Sequence, residues 1–405
     1  MKSFDIPEFY RSPIISKVKA LRKAQDPRKK DFTPTLLDFG SIRFYIARHF
    51  GFCYGVENAI EKAYKAIDEN PGKRIYLLSQ MIHNPGVNAD LLANGVQFLQ
   101  DTAGNQLIPF ESLTAEDVVI IPAFGAPVEI YAILEQLGVA MEQYDTTCPF
   151  VEKVWNRSEQ LGKTEHTIII HGKYNHEETR ATFSHSKENA PSLIIKDMKE
   201  AIYLGDYIKG NVSDEDFHSF FEGKYSQGFD PKLHLNKIGV VNQTTMLATE
   251  TQEITDYLRQ VMLEKYGEET IREHIADTRD TLCYATNDNQ SATIGLMEAP
   301  ADFAVVVGGY NSSNTTHLVE LLEQKFPTFF IKDQEEILGD STVKSFDIHK
   351  KEVLEMAFPL MDKEVPTIAI TSGASCPDSV IDRVIQRLLD LKGETKTIEM
   401  VLENA

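Results

Sequence analysis

The chain has 405 residues, enough for two or three domains with their own cores. Its formal net charge of −20 argues against a general nucleic-acid or anionic-membrane binder, while leaving room for a local anion pocket. No apolar run approaches a membrane span, the N-terminus has no signal-peptide core, and four cysteines do not make a disulfide framework, so a reduced cytoplasmic protein is expected.

Residues 1–41 read as an accessory arm with little periodicity before Ile14. The arm is basic (Lys17, Lys19, Arg22, Lys23, Arg28, Lys29, Lys30) on an acidic body. It is expected to lie against that body, to contact a partner, or to be partly mobile. Arg43–Ala47 then reads as a strand, and Gly51-Phe-Cys-Tyr-Gly55 as a tight turn. Val56, Ile60, Ala63 and Ile67 follow at helical spacing, which sets Cys53 at a strand-to-helix junction. Ile75–Leu78 and Val118–Pro122 are further strands, with His83 in the loop after the first. An apolar, strand-like run ends at Tyr144 and a helix begins at Phe150. Cys148 falls between them, with Pro149 in the first-turn position that proline favours. A thiol there feels the positive end of the helix dipole, which favours the thiolate, the form that binds metal.

The alternation continues. Thr167–Ile170 and Leu193–Ile195 are strands, the first leading into His171-Gly-Lys-Tyr-Asn-His176-Glu-Glu178. Residues 205–237 are polar and break the rhythm, so an insertion with little regular structure is expected. Ile238–Val241 restores a strand and runs into Asn242-Gln-Thr244-Thr245. Cys283 again precedes a helix-like stretch. Phe303–Val307 ends in a loop carrying Asn311-Ser-Ser-Asn314, and Thr367–Thr371 ends in Ser372-Gly-Ala-Ser375-Cys376-Pro377. Strand–helix alternation implies an α/β fold with parallel sheets and ligands at the carboxyl ends of strands.

The cysteines lie 95, 135 and 93 residues apart, and removing 205–237 brings the middle interval to 102. This suggests three α/β units of similar length, each entered through a cysteine-bearing loop. The predicted boundaries are 42–147, 148–281 and 282–391, with a tail at 392–405. Converging thiolates fit an iron–sulfur cluster or zinc, and position alone also leaves independent buried thiols open. Thr244, Thr245, Ser312, Ser313, Asn314, Ser375, His83 and His176 offer neutral donors for an anion such as a diphosphate. For Ser312–Asn314 taken alone, simple helix capping is the better explanation. Glu177 or Glu178 is a candidate proton donor, or else a solvated first-turn glutamate. A zinc hydrolase and a non-catalytic diphosphate-binding protein remain alternatives to a redox enzyme.

Taken together, the ordered motifs resemble the 4-hydroxy-3-methylbut-2-enyl diphosphate reductase family over roughly residues 43–391. They are Gly51-Phe-Cys53-Tyr-Gly55, His83-Asn84, Asp145-Thr-Thr-Cys148-Pro149, His176-Glu-Glu178, Gln243-Thr244-Thr245, Cys283-Tyr-Ala-Thr286, Asn311-Ser-Ser-Asn314 and Gly373-Ala-Ser375. The length, the Pro122–Gly125 and His171–Glu178 loops and the 205–237 insertion resemble the longer cyanobacterial and plant-type branch. The resemblance implies three similar α/β domains, mostly parallel, in a pseudo-threefold, trefoil-like arrangement around a central iron–sulfur cavity. It implies a 4Fe-4S cluster on Cys53, Cys148 and Cys283, with one iron open to substrate and Cys376 outside the ligand set. It places His83, His176, Thr244, Ser312, Ser313, Asn314 and Ser375 on substrate positions, and Glu178, with Thr244, on proton delivery. It implies the last step of the non-mevalonate isoprenoid pathway, with ferredoxin or flavodoxin as the external electron donor. One position departs from the pattern: short bacterial members carry histidine where this chain has Phe124. Neighbouring donors, or His171 or Lys173, would have to replace its contact.

Overall fold

The computed structural model describes residues 4–139, 141–276, 281–393 and 395–403. The strands are β1 (Thr35–Asp38), β2 (Arg43–Ile46), β3 (Ile75–Leu77), β4 (Gln97–Phe98), β5 (Val118–Ile120), β6 (Thr167–His171), β7 (Ser192–Ile195), β8 (Ile238–Asn242), β9 (Phe303–Val307), β10 (Thr328–Ile331), β11 (Thr342–Asp347), β12 (Glu352–Ala357) and β13 (Thr367–Ser372). The chain divides into two compact units, one of residues 4–57, 82–89 and 284–403, the other of 58–81 and 90–283.

The first unit is built on a sheet of order β1-β2-β13-β9-β10. All its neighbours are parallel except β1, which folds back antiparallel on β2. β9 and β13 are buried at every position, as expected of parallel strands covered on both faces. β11 and β12 form a separate antiparallel hairpin. In the second unit β4-β3-β5 and β7-β6-β8 are two three-stranded parallel sheets. The α/β class and the parallel sheets match the sequence reading.

Several expectations are corrected. The strand at Arg43–Ile46 does not stay with the rest of 42–147; it pairs in parallel with β13, Ile370 opposite Ile46. Phe44 and Ile46 are wholly buried there, so apolar burial chose the long-range partner. Of the alternatives for the 1–41 arm, packing against the body is the one observed: Pro13–Gln25 is a helix capped by Ser12, with Ile14, Ile15 and Val18 buried and the last two in the core beside Phe44 and Ile46. Part of the 392–405 tail is the helix Ile398–Glu403, with Val401 buried. Residues 205–237 are not irregular. They hold the end of Met198–Ile208 and the short helices Asp214–Phe220 and Pro231–His234, capped by Ser213 and Asp230. Phe217, Phe221 and Phe229 enter the core beside Leu193 and Ile238. Helices of seven and four residues are too short for periodicity to register. The run to Tyr144 ends in a 3-10 turn, Glu142–Tyr144, and Asp145 forms an isolated bridge to Ile121. Strand β10 and the β11–β12 hairpin had no counterpart in the sequence reading.

Candidate active site

The sequence-selected site residues lie in loops that leave a strand or enter a helix, or, like Glu178, Ser313 and Asn314, in the first turn of that helix. They fall into two groups, one in each unit.

In the second unit the Cys148 loop is strapped to the end of β5. Thr146 N–H donates to the Ile121 carbonyl and Cys148 N–H to the Ala123 carbonyl, both at 3.0 Å. Asp145 Oδ1 accepts from Thr147 N–H at 2.8 Å and from the Thr147 hydroxyl at 2.6 Å, while the Tyr131 hydroxyl donates to Oδ2 at 2.8 Å. Gly125 makes the tight approach possible: its φ is +75°, and a Cβ there would stand 2.5 Å from the Trp155 ring. Cys148 is the N-cap of the helix Pro149–Lys163, as expected.

The thiol does not follow the helix dipole, however. Burial pushes Cys148 up to about 12, with the charges of Cys283 and Glu178 adding to it and the Phe150 and Val151 N–H groups pulling the other way. In this pocket desolvation outweighs the dipole, so a thiolate forms only with a cation to pair it.

Glu178, in the first turn of Glu177–Lys187, is 1% exposed. Thr244 holds it twice, N–H to Oε1 and hydroxyl to Oε2, the latter at 3.0 Å. Thr244 also accepts from Cys283 N–H at 3.2 Å. Burial raises Glu178 to about 7 despite both Thr244 bonds. Thus Cys148, Cys283, Thr244 and Glu178 belong to one contiguous group. Glu177 turns elsewhere: Ser79 Oγ donates to its Oε1, and burial raises it to about 7. The two adjacent acids, indistinguishable in sequence, are separated by their partners. His176 caps this helix, its Nδ1 accepting from Glu178 N–H at 3.1 Å.

Gln243 sets the loop geometry here. Its Oε1 accepts from Lys173 N–H at 3.1 Å and the Thr179 hydroxyl at 3.0 Å. The Cys283 loop is tied to β8 by Thr281, whose hydroxyl donates to Asn242 Oδ1 at 2.6 Å. Phe124 meets the His176 ring edge-on at 5.5 Å, which makes that wall apolar. His171 is wholly buried and its Nδ1 lies 3.0 Å from the Thr251 hydroxyl, a contact that directs it to the helix Ala248–Tyr266.

The first unit gathers the rest. Cys53 N–H donates to the Ala374 carbonyl at 3.3 Å, next to Ser375. Ser375 Oγ donates to the His83 carbonyl at 3.1 Å, and His83 Nδ1 lies 3.0 Å from Asn311 Nδ2. Ser312 is a true N-cap, accepting from Thr315 N–H at 3.2 Å. Capping does not explain its neighbours. Asn314 Oδ1 accepts from Ala374 N–H at 2.9 Å, yet Asn314 Nδ2 and Ser313 Oγ are buried with no hydrogen-bond partner among the described residues. Orphaned buried donors cost about 1–3 kcal/mol each unless water or a ligand satisfies them, so this loop has donors to offer an anion. Asn289, whose Nδ2 lies 3.4 Å from Asn314 Oδ1, is a member the sequence reading missed; no local motif marks it.

The cysteines differ in setting. Cys53, Cys148 and Cys283 are half-buried, none in a disulfide, each directly before a helix. Cys376 is wholly buried in the hydrophobic core. Among the described residues no three His, Cys, Asp or Glu side chains stand close enough to hold a metal ion. The donor chemistry still fits a thiolate-ligated group: three thiols at helix starts, two of them, Cys148 and Cys283, within electrostatic reach of each other. Among the described residues no helix is long and apolar enough to cross a membrane.

The sequence model of the LytB protein family matches residues 44–389. A protein of Synechococcus sp. (strain WH7803) named 4-hydroxy-3-methylbut-2-enyl diphosphate reductase is 41% identical over 359 residues, 88% of each chain. A similarly named protein of Gloeobacter violaceus is 39% identical, covering 87% of this chain and 84% of its own. Two solved structures share the fold at lower identity. One, of (E)-4-hydroxy-3-methyl-but-2-enyl diphosphate reductase, the terminal enzyme of the non-mevalonate pathway, has a TM-score of 0.52 at 23% identity, covering 86% of this chain and 99% of that one. The other, a Plasmodium falciparum reductase, has a TM-score of 0.61 at 22% identity, covering 86% and 88%. With a family match spanning both units and named relatives near 40% identity over most of its length, this chain belongs to the LytB protein family.

Proposed function

We propose that the chain reductively removes the hydroxyl group of (E)-4-hydroxy-3-methylbut-2-enyl diphosphate. The products are isopentenyl and dimethylallyl diphosphate, and the reaction is the last step of the non-mevalonate (methylerythritol phosphate) isoprenoid pathway. The names of its relatives support the reaction. The observation that carries the residue roles is the buried Glu178 carboxyl, held by Thr244, whose carbonyl accepts the Cys283 N–H.

Cys53, Cys148 and Cys283 would hold the 4Fe-4S cluster, which when bound would supply single-electron transfer and Lewis acidity. The reaction consumes two electrons and two protons; the allylic C–O bond breaks and water leaves. Glu178, raised to about 7, retains a proton near neutral pH and delivers it to the departing oxygen. Thr244 holds that carboxyl in place and orients it. Ser313 and Asn314 donate to the diphosphate, together with His83, His176, Ser312 and Ser375, so dipoles rather than Lys or Arg side chains hold the anion. Burial of these groups keeps water from the reacting carbon.

The electrons come singly from an external carrier of the ferredoxin or flavodoxin class. No Gly-x-Gly-x-x-Gly loop follows a strand to bind a nicotinamide directly. A cytoplasmic location suits a reduced set of thiols. Glu178→Gln tests the assignment: turnover should fall about 10²–10⁴-fold while iron, sulfide and the visible spectrum stay unchanged. Wild-type turnover in that variant would remove Glu178 from the mechanism.

A further inference from the structure

Residues 4–31 lie outside the stretch matched by the family model, which begins at residue 44. Their inner side is fastened to the loop that carries Cys53. The Phe4 ring stands edge-on to Tyr54 at 4.9 Å and the Tyr10 ring to Phe52 at 5.8 Å, so the segment holds the residues on both sides of Cys53. Lys19 Nζ lies 4.7 Å over the Phe50 ring and 2.7 Å from Asp378 Oδ1. Lys29 Nζ lies 5.9 Å over the ring of Tyr284, whose hydroxyl accepts Tyr54 N–H at 2.9 Å.

The outer side has a different character. The helix Pro13–Gln25 buries Ile14, Ile15 and Val18 and leaves Lys17 and Lys23 in solvent, with Arg28 and Lys30 exposed beyond its end. None of these four is paired among the described residues, whereas Lys19 and Arg22 are engaged by Asp378 and Asp31. Residues 4–33 carry eight Lys or Arg and four Asp or Glu, a net +4 within a chain of −20. An acidic partner is repelled by most of this molecule and attracted here.

We propose that Lys17, Lys23, Arg28 and Lys30 form the docking face for the electron donor, a small acidic one-electron carrier protein. The proposal rests on the iron–sulfur reductase reading above. A carrier seated on this face sits on the segment whose inner residues Phe4, Tyr10, Lys19 and Lys29 grip the Cys53 loop and its surroundings, which gives the charge asymmetry a purpose. An anionic membrane has no comparable need of a place beside that loop.

The test uses the full-length holoenzyme with two reductants: an acidic plant-type [2Fe–2S] ferredoxin and dithionite-reduced methyl viologen. The variant K17E/K23E/R28E/K30E should raise KM for ferredoxin at least tenfold and weaken its titrated Kd equally. Viologen-driven turnover and cluster content should stay within twofold. K17R/K23R/R28K/K30R should restore ferredoxin use. For the wild type, raising salt from about 0.05 to about 0.5 M should produce the same rise in KM, a check that does not depend on how the variant folds. Unchanged ferredoxin KM and Kd in the charge-reversed protein, or a salt-independent wild type, overturns the docking face while leaving the reductase reading intact. Absence of viologen-driven turnover in the wild type overturns the reductase reading, and the docking face with it. Salt-sensitive self-association lost in the variant, with ferredoxin binding unchanged, overturns the docking face by assigning these four residues to a second copy of the chain.

Discussion

Two loops in this molecule carry Cys-Pro at the start of a helix, and they have opposite fates. Cys148 precedes Pro149–Lys163 as its N-cap, whereas Cys376 sits one residue outside Pro377, the N-cap of Asp378–Lys392. Each is pinned through its N–H, Cys148 to the Ala123 carbonyl and Cys376 to the Gly373 carbonyl, both at 3.0 Å. Burial pushes both thiols up to about 12. What differs is the company. Cys148 is half-buried beside Cys283 and Glu178, while Cys376 is sealed in the core with apolar residues such as Ile381 and Val380. A thiol's local motif therefore does not decide its role; the groups that the fold assembles around it do.

The contrast breaks most directly by deletion of each sulfur. Cys148→Ala should abolish both turnover and iron–sulfur absorbance. Cys376→Ala should keep both and lose only about 1–2 kcal/mol of stability to a small cavity, read from denaturant unfolding. Equal bleaching in the two variants would erase the distinction. A smaller effect is expected at the donor loop. Ser313→Ala should raise KM for the diphosphate about tenfold, roughly the net worth of one hydrogen bond to a charged group, without lowering stability. The stability half of that result matters, because the hydroxyl has no protein partner to lose among the described residues.

The smallest effect concerns the paired acids. Both are raised to about 7 from an ordinary carboxyl near 4.5. Between those values the folded chain binds more protons than the unfolded one, so stability should fall as pH rises from about 4.5 to 7. Glu177→Gln should flatten part of that slope in apo-protein unfolding, and sparing it entirely would mean Glu177 is ionised in the fold.

Much of the candidate site was legible in advance because loops between strand and helix announce themselves locally. Pro149 after Cys148, Gly51 before Cys53 and the Ser-Ser-Asn run after β9 each mark a helix start or a tight approach within a few residues. The cysteine placement follows from the same signals. Three features were not legible. The pairing of β2 with β13 spans the chain and depends on which apolar faces meet. The 205–237 region is held by a phenylalanine cluster, not by helical periodicity. The Tyr284 hydroxyl that caps Tyr54 N–H comes from a residue far along the chain, with no motif to signal it.

The sequence alone therefore determined the α/β alternation, the helix-start position of three cysteines and the supply of neutral anion donors. These depend on short-range backbone preferences and apolar spacing. Tertiary structure decided that Glu178 and not Glu177 meets Thr244, that Cys376 is sealed in the core, and that the basic arm grips the Cys53 loop. Those outcomes turn on burial and long-range partners. Desolvation in a packed interior overrides local tendencies such as the pull of a helix dipole on a thiol.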